Sequence, residues 1–295
     1  MNFLTNISAT LTQWIAQAEI SNASQISFFL ISPLIGATLI GFASGFFSGF
    51  VNLRRNALSV SALSHTMLPG IALAVLVTQE LTQANAFIGA LFACILVGLG
   101  SVLVSRNSRI PEGTALAILY TTAFAGGVAL LPHLPVVASL HDWLFGDISL
   151  ISRSDLNLIF IISTLSLILS NLFMRPILLT MFEPNVAAAQ GVPVRAMQYL
   201  IFTLLILMLV ASLQAVGCVL SVSLLVAPAA IMLLFTDNTK SLFWGGAIIG
   251  ASAGAGGVLL SQIIDIQAGH AIVILLGIIF LLAFTLSPKY GVFKR

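Results

Sequence analysis

Apolar residues recur along this chain in runs of about 20, separated by short polar breaks, from residue 28 almost to the end. A run of that length matches the roughly 30 Å of hydrocarbon that a membrane helix must cross. The breaks predict spans at about 28–52, 57–80, 86–105, 114–134, 156–174, 196–214, 218–236, 242–263 and 270–287. Only the segment "SLQAVG" (Ser212 to Gly217) divides the sixth from the seventh, so eight spans with one re-entrant piece is an open alternative. The predicted fold class is an all-α integral membrane protein, a polytopic bundle of eight or nine helices. Residues 1–27 read as a polar to amphipathic extracytoplasmic leader, and 28–295 as a single transmembrane domain.

Composition agrees with this reading: 59% of the 295 residues are hydrophobic and 7% are charged, against about a quarter charged in a soluble domain. No segment is long enough for a separate soluble domain. The leader lacks Lys and Arg, and so lacks the charged start of a signal peptide. Charge placement says more than net charge. With nine spans, ten of the eleven basic residues fall on one side, in loops holding Arg54/Arg55, Arg106/Arg109, Arg175/Arg195, Lys240 and Lys289/Lys294/Arg295. Only Arg153 lies opposite. The basic side is the cytoplasm, which leaves the N-terminus outside and the C-terminus inside. Nothing in this distribution points to nucleic acid.

Glycines recur every four residues in two predicted helices, Gly41/Gly45/Gly49 and Gly246/Gly250/Gly254. That spacing lets helix backbones approach closely in lipid, within one bundle or at a subunit interface. Cys94 and Cys218 each sit alone in an apolar run and read as small hydrophobes, not as a disulfide or metal pair.

Ionisable groups within membrane spans are costly and therefore candidate functional residues. His65 lies in the second span; His133 and His141 fall in the outer loop after the fourth; Asp265 and His270 flank the last outer turn. Glu80 and Asp147 are also on the outer side, and no predicted span interior holds a Lys, an Arg or a pair of acids. This disfavours an ion-coupled secondary carrier or channel, which would use acids in the membrane. Ser61 and His65 are four residues apart and share a helix face, with Pro69 one turn later. Pro69 and Pro228 are predicted helix kinks. A neutral imidazole suits a borderline dication; a hydrogen bond to a neighbouring helix would equally explain His65.

"GASAG" (Gly250 to Gly254) matches a nucleophile-elbow pattern, but it lies mid-span without the strand–turn–helix setting that Ser252 would need as a nucleophile. No HExxH, P-loop or GxGxxG occurs. On the cytoplasmic side, "MFEPNVAAAQGVPVR" (Met181 to Arg195) predicts a short helix. Pro184 opens it, Glu183 favours its positive end, and Gly191 closes it. Such a helix between two spans reads as a docking element, or as a plain surface linker.

Five segments in order resemble the membrane permeases of the zinc/manganese family of metal ABC transporters. They are "LRRNALSVSALSHTMLPGIALA", "WLFGDISLISRSDL", "EPNVAAAQGVPV", "VGCVLSVSLLVAPAAIMLL", and Asp265 with Gly269 as D-x-x-x-G. The resemblance implies a non-catalytic permease of the bacterial cytoplasmic membrane, acting as a homodimer with a separate cytoplasmic ATP-binding subunit and an extracytoplasmic metal-binding protein. It implies Zn²⁺ or Mn²⁺ as cargo, with iron a further candidate, and no permanently bound cofactor. It places His65 and Asp265 on the metal path, and Glu183, Ala187, Ala188 and Gly191 on the ATPase-docking segment. Where relatives carry Gly-Asp this chain has Val60-Ser61, so Ser61 replaces an acid. His270 stands where relatives have a small residue or proline, which suggests a His65/Asp265/His270 set that would favour zinc.

Overall fold

The computed structural model describes residues 23–80, 82–133, 148 and 151–287. The predicted spans are helices: α1 (Ala23–Leu53), α2 (Ala57–Thr78), α3 (Gln83–Asn107), α4 (Glu112–Leu130) and α5 (Arg153–Leu172). Two short helices follow, α6 (Met174–Phe182) and α7 (Pro184–Ala189), then α8 (Val194–Val216), α9 (Cys218–Leu233), α10 (Thr239–Ile264) and α11 (Ala268–Leu286). Eight of the described helices are long and apolar enough to cross a membrane. The ninth, α9, has 16 residues, a rise of about 24 Å. It is shorter than a full span, yet it runs from the outer end to the inner one: the Ser287 hydroxyl, just past α11, donates to the Leu234 carbonyl, just past α9, at 2.6 Å. Gly217, at φ 78°, makes the break after α8.

α1 begins at Ala23, earlier than the expected limit of 28, and 1–22 lie outside the described residues. The helix α6 was not foreseen. "MRPILLTMF" is too short to register as a span, but it buries Ile177 and Thr180 and carries the chain from α5 to α7.

The bundle is organised around α1. Its apolar window is 72% buried, whereas those of α4 and α11 are 17% and 22% buried and form the periphery. Two cores meet on α1. Its inner half packs with α2, α3 and α8 through Phe46, Phe47 and Phe50, and its outer half packs with α5 and α9–α11 through Ala37 and Ile40.

The closest contact is antiparallel, between α1 and α10. A Cβ added to Gly41 would lie 2.2 Å from the Gly250 carbonyl oxygen, one on Gly45 2.3 Å from the Gly246 oxygen, and one on Gly254 2.3 Å from the Ala37 oxygen. The four-residue glycine spacing is thus a packing device within one chain. Toward the cytoplasm the contact continues through aromatic rings, with Phe243 at 5.1 Å from Phe46 and 4.5 Å from Phe50, centroid to centroid.

Pro228 lies inside α9 and Pro69 inside α2, in helices that continue past them. Around Pro228, α1 supplies substitute partners: the Ala229 N–H donates to the Ser48 hydroxyl at 2.9 Å, and the Asn52 amide donates to the Val226 carbonyl at 2.9 Å. The Ser48 hydroxyl donates in turn to the Gly45 carbonyl. Ser44 and Ser212 hydroxyls meet at 3.3 Å and join α1 to α8.

Gly250→Ala is expected to cost roughly 1–3 kcal/mol, the usual range for overpacking, because its Cβ would lie 2.1 Å from the Gly41 oxygen. Thermal unfolding in detergent, followed by tryptophan fluorescence, checks this. Gly277→Ala is the control, since its Cβ would meet nothing within 4 Å.

Candidate functional site

The turn carrying His65 is held rigidly on one side. Gly70 and Gly89 bring α2 and α3 into backbone contact, with an added Cβ on Gly70 falling 2.3 Å from the Gly89 oxygen. One turn earlier, the Thr66 hydroxyl donates to the Leu63 carbonyl at 2.7 Å and meets the Cys94 sulfur at 3.2 Å. The Cys94 thiol also donates to the Leu63 carbonyl at 3.5 Å, so this buried cysteine is a polar link between helices as well as a small apolar filler. Cys218's side chain lies outside the described residues. On a second side α4 leans on the proline: a Cβ on Gly127 would lie 2.6 Å from the Pro69 Cα.

These contacts fix the rotation of α2 and leave His65 exposed, its ring edge-on to Phe124 of α4 at 6.1 Å between centroids. Ser61 is half-buried on the same face one turn below, its carbonyl accepting from the Ser64 hydroxyl at 2.7 Å. Pro69 has no N–H to give the carbonyl four residues back, which is that of His65. Leu58, Leu73 and Val77 are apolar outward positions on α2.

Asp265 and His270 are elsewhere. Asp265 caps α10 in the left-handed region, φ 57°, and is exposed at the outer turn; His270 is exposed in the first turn of α11. His65 lies 13 residues below the outer end of α2, about 20 Å of helix rise. Among the described residues no three of His, Cys, Asp and Glu come together as a metal-holding group. The His65/Asp265/His270 set is therefore not assembled within one chain, because His65 lies well inside α2 while Asp265 and His270 sit at the outer turn.

Among the outer-loop residues, His141 and Asp147 lie outside the described residues, as does the side chain of His133. Where the loop returns, Ser152 and Asp155 form a capping box that starts α5. The Ser152 hydroxyl accepts from the Asp155 N–H at 3.2 Å, and the Asp155 carboxylate accepts from the Ser152 N–H at 3.1 Å. The S-x-x-D pattern in "SRSD" was the available signal. The acid of the segment's final "DL" thus closes a helix start.

A family model described as the ABC 3 transport family matches residues 27–287. The chain belongs to this family. It is 37% identical over 268 residues to the "Manganese transport system membrane protein MntC" of Halalkalibacterium halodurans, covering 90% of each chain. It is 33% identical to a Haemophilus influenzae protein named "Probable iron transport system membrane protein", covering 90% of this chain and 93% of that one. The solved structure of PsaBC from Streptococcus pneumoniae in complex with Fab superposes with a TM-score of 0.79 at 29% identity, over 95% of this chain and 97% of that one.

This ABC 3 chain is therefore a multi-pass permease of the bacterial inner membrane, and the ion-coupled carrier reading falls. Ser252 lies inside the continuous helix α10, not in the strand–turn–helix setting of a nucleophile elbow, and its hydroxyl donates to the Ile249 carbonyl of the same helix. The short cytoplasmic helix forms as expected. Pro184 stands at its first position, and the Glu183 carbonyl accepts from the Ala187 N–H at 2.9 Å. Gly191 turns the chain at φ 79°, and the Val192 N–H returns to the Ala187 carbonyl at 3.0 Å. The four expected docking residues divide. Glu183, Ala188 and Gly191 are exposed, but Ala187 is buried and anchors α7 to the bundle.

Two neighbouring glycines test the α2–α4 contact beside His65. Gly127→Ala should lower the melting temperature through the clash with Pro69, while Gly126→Ala, whose Cβ would meet nothing within 4 Å, should leave it unchanged or raise it slightly. Equal behaviour of the pair in a thermal-shift assay would refute the contact.

Proposed function

We propose that this permease imports a divalent transition metal, with manganese as the leading cargo. The permease's face around His65 and Ser61 forms the metal path, and a separate ATP-binding subunit drives alternating access. The manganese and iron names of the relatives support the cargo class. The observation that carries the path is the orientation of His65: an imidazole inside a membrane span, turned away from its own bundle. A polar ring facing lipid is unfavourable, so such residues face a cavity or another subunit. A second copy of the chain on this face would cover His65 and bring a second imidazole near it. The same side of α2 borders an apolar groove of about 380 Å³ shared with α9 and α11, next to Leu58, which a second copy would fill in part.

With Ser61 in place of an acid, each chain offers this path one nitrogen and one hydroxyl. Two copies would offer a neutral site, which binds a dication loosely enough to release it. Asp265 and His270, exposed at the outer turn, suit the region where an extracytoplasmic binding protein delivers metal. The ATP-binding subunit docks on the face made by Glu183, Ala188 and Gly191, with Ala187 anchoring that face from below. Zinc remains a second cargo, because an imidazole-rich path without carboxylates favours it.

Cellular manganese, iron and zinc measured by mass spectrometry test the path. His65→Ala should lower uptake at least about tenfold, a loss comparable to removing one metal ligand, while Ser61→Asp should hold or raise it. Normal uptake in His65→Ala would sink the ligand role. The dock has its own test, because Gly191 lies in the left-handed region and a side chain there costs about 1–2 kcal/mol. Gly191→Arg should abolish co-purification of the ATP-binding subunit; retained association would show that docking lies elsewhere.

A further inference from the structure

At the cytoplasmic end of α3 and α8 lies a cavity of about 320 Å³ that the transport path does not use. It is lined by Leu103, Arg106 and Asn107 from the last turns of α3, and by Arg195 and Tyr199 from the first turns of α8. Two guanidinium groups therefore face one small space, and no carboxylate is among its lining residues. Arg106 is fixed in place: its Nη2 donates to the Gln198 side-chain oxygen, and its guanidinium carbon lies 5.3 Å from the centre of the Tyr199 ring. A guanidinium carries five N–H donors in a planar fork, so one bond to Gln198 leaves several for a ligand. Arg195 stands on the first turn of α8, where the positive end of the helix adds to its own charge.

We propose that this cavity binds the phosphate headgroup of a net-anionic phospholipid in the cytoplasmic leaflet. Three observations select a lipid over other anions. First, the positive-inside assignment puts the cavity at the cytoplasmic membrane surface, where basic pockets between helices take anionic headgroups. Second, α3 carries an exposed apolar stripe, Ile88, Phe92, Leu96 and Leu103, at spacings of four and seven residues. The stripe lies on one helix face and leads into the cavity, so an acyl chain hanging from a headgroup there would follow it. Third, both cations are arginines, whose planar fork matches phosphate oxygens two at a time, and a tyrosine stands beside them. A zwitterionic headgroup would neutralise less of the paired positive charge than a phosphatidylglycerol or cardiolipin headgroup.

The test uses the full-length permease, purified in mild detergent and relipidated with equal parts of phosphatidylglycerol and phosphatidylethanolamine, with bound lipid counted by native mass spectrometry. The wild type should retain phosphatidylglycerol preferentially. The Arg106→Gln/Arg195→Gln double variant should lose at least about tenfold of that retention, in keeping with two charge-assisted bonds. Arg195→Gln alone should lose part of it. Arg195 has no hydrogen bond or ring contact among the described residues, so this variant should keep the wild-type melting temperature. Arg109→Gln, outside the cavity, should behave as wild type. Unchanged retention in the double variant would overturn the proposal. So would displacement of the lipid by millimolar inorganic phosphate, which would mark a free-anion site. Loss of the ATP-binding subunit with phosphatidylglycerol retention intact would mark a protein contact instead, and would overturn it equally.

Discussion

Direct backbone contact between α1 and α10 is the constraint on which the rest of the bundle depends. In lipid, apolar side chains gain little by leaving one apolar neighbour for another, so helices associate through close packing and polar links. Gly41, Gly45, Gly246, Gly250 and Gly254 remove the side chains that would hold the two backbones apart. With α10 pressed against it, α1 becomes the central post. One core forms on its inner half and the other on its outer half, and α4 and α11 are left at the rim. The aromatic group around Phe46, Phe50 and Phe243 then fills the inner end.

Several polar side chains inside the bundle tie neighbouring helices together. Ser48 and Asn52 of α1 bond the backbone of α9 beside Pro228, so the proline is accommodated by a neighbour without breaking the helix. Thr66 and Cys94 tie α2 to α3 through the Leu63 carbonyl. These bonds, with the glycine contacts at Gly70 and Gly127, fix the roll of α2 and so the direction of His65. The outward direction of His65 is set by the packing of the side chains around it.

The candidate site was partly legible before any coordinates. Ser61 and His65 share a face because four residues make just over one helical turn, and the structure keeps them together on one side of α2. The short cytoplasmic helix α7 was legible because Pro184 and Gly191 act through their own backbones. That Ala187 is buried while Ala188 is exposed was not legible, because nothing local distinguishes the two; which alanine faces the bundle depends on how α6 and α8 hold the helix. His65, Asp265 and His270 do not come together within one chain for a related reason. Residue type suggests ligands, but depth along three separate helices decides whether they meet.

The sequence by itself determined the approximate limits of the long helices, the side on which the basic loops lie, and the family, and it left eight or nine spans open. Each of these rests on hydropathy, charge or short motifs, which act over one turn or one span. Tertiary structure alone decided that the two glycine series meet each other, that α9 stays shorter than a span, and that His65 points away from its own bundle. It also brought Arg106 and Arg195 to one cavity from positions nearly 90 residues apart. These outcomes depend on helix roll, depth and neighbour choice, and those are set by contacts between residues far apart in the chain.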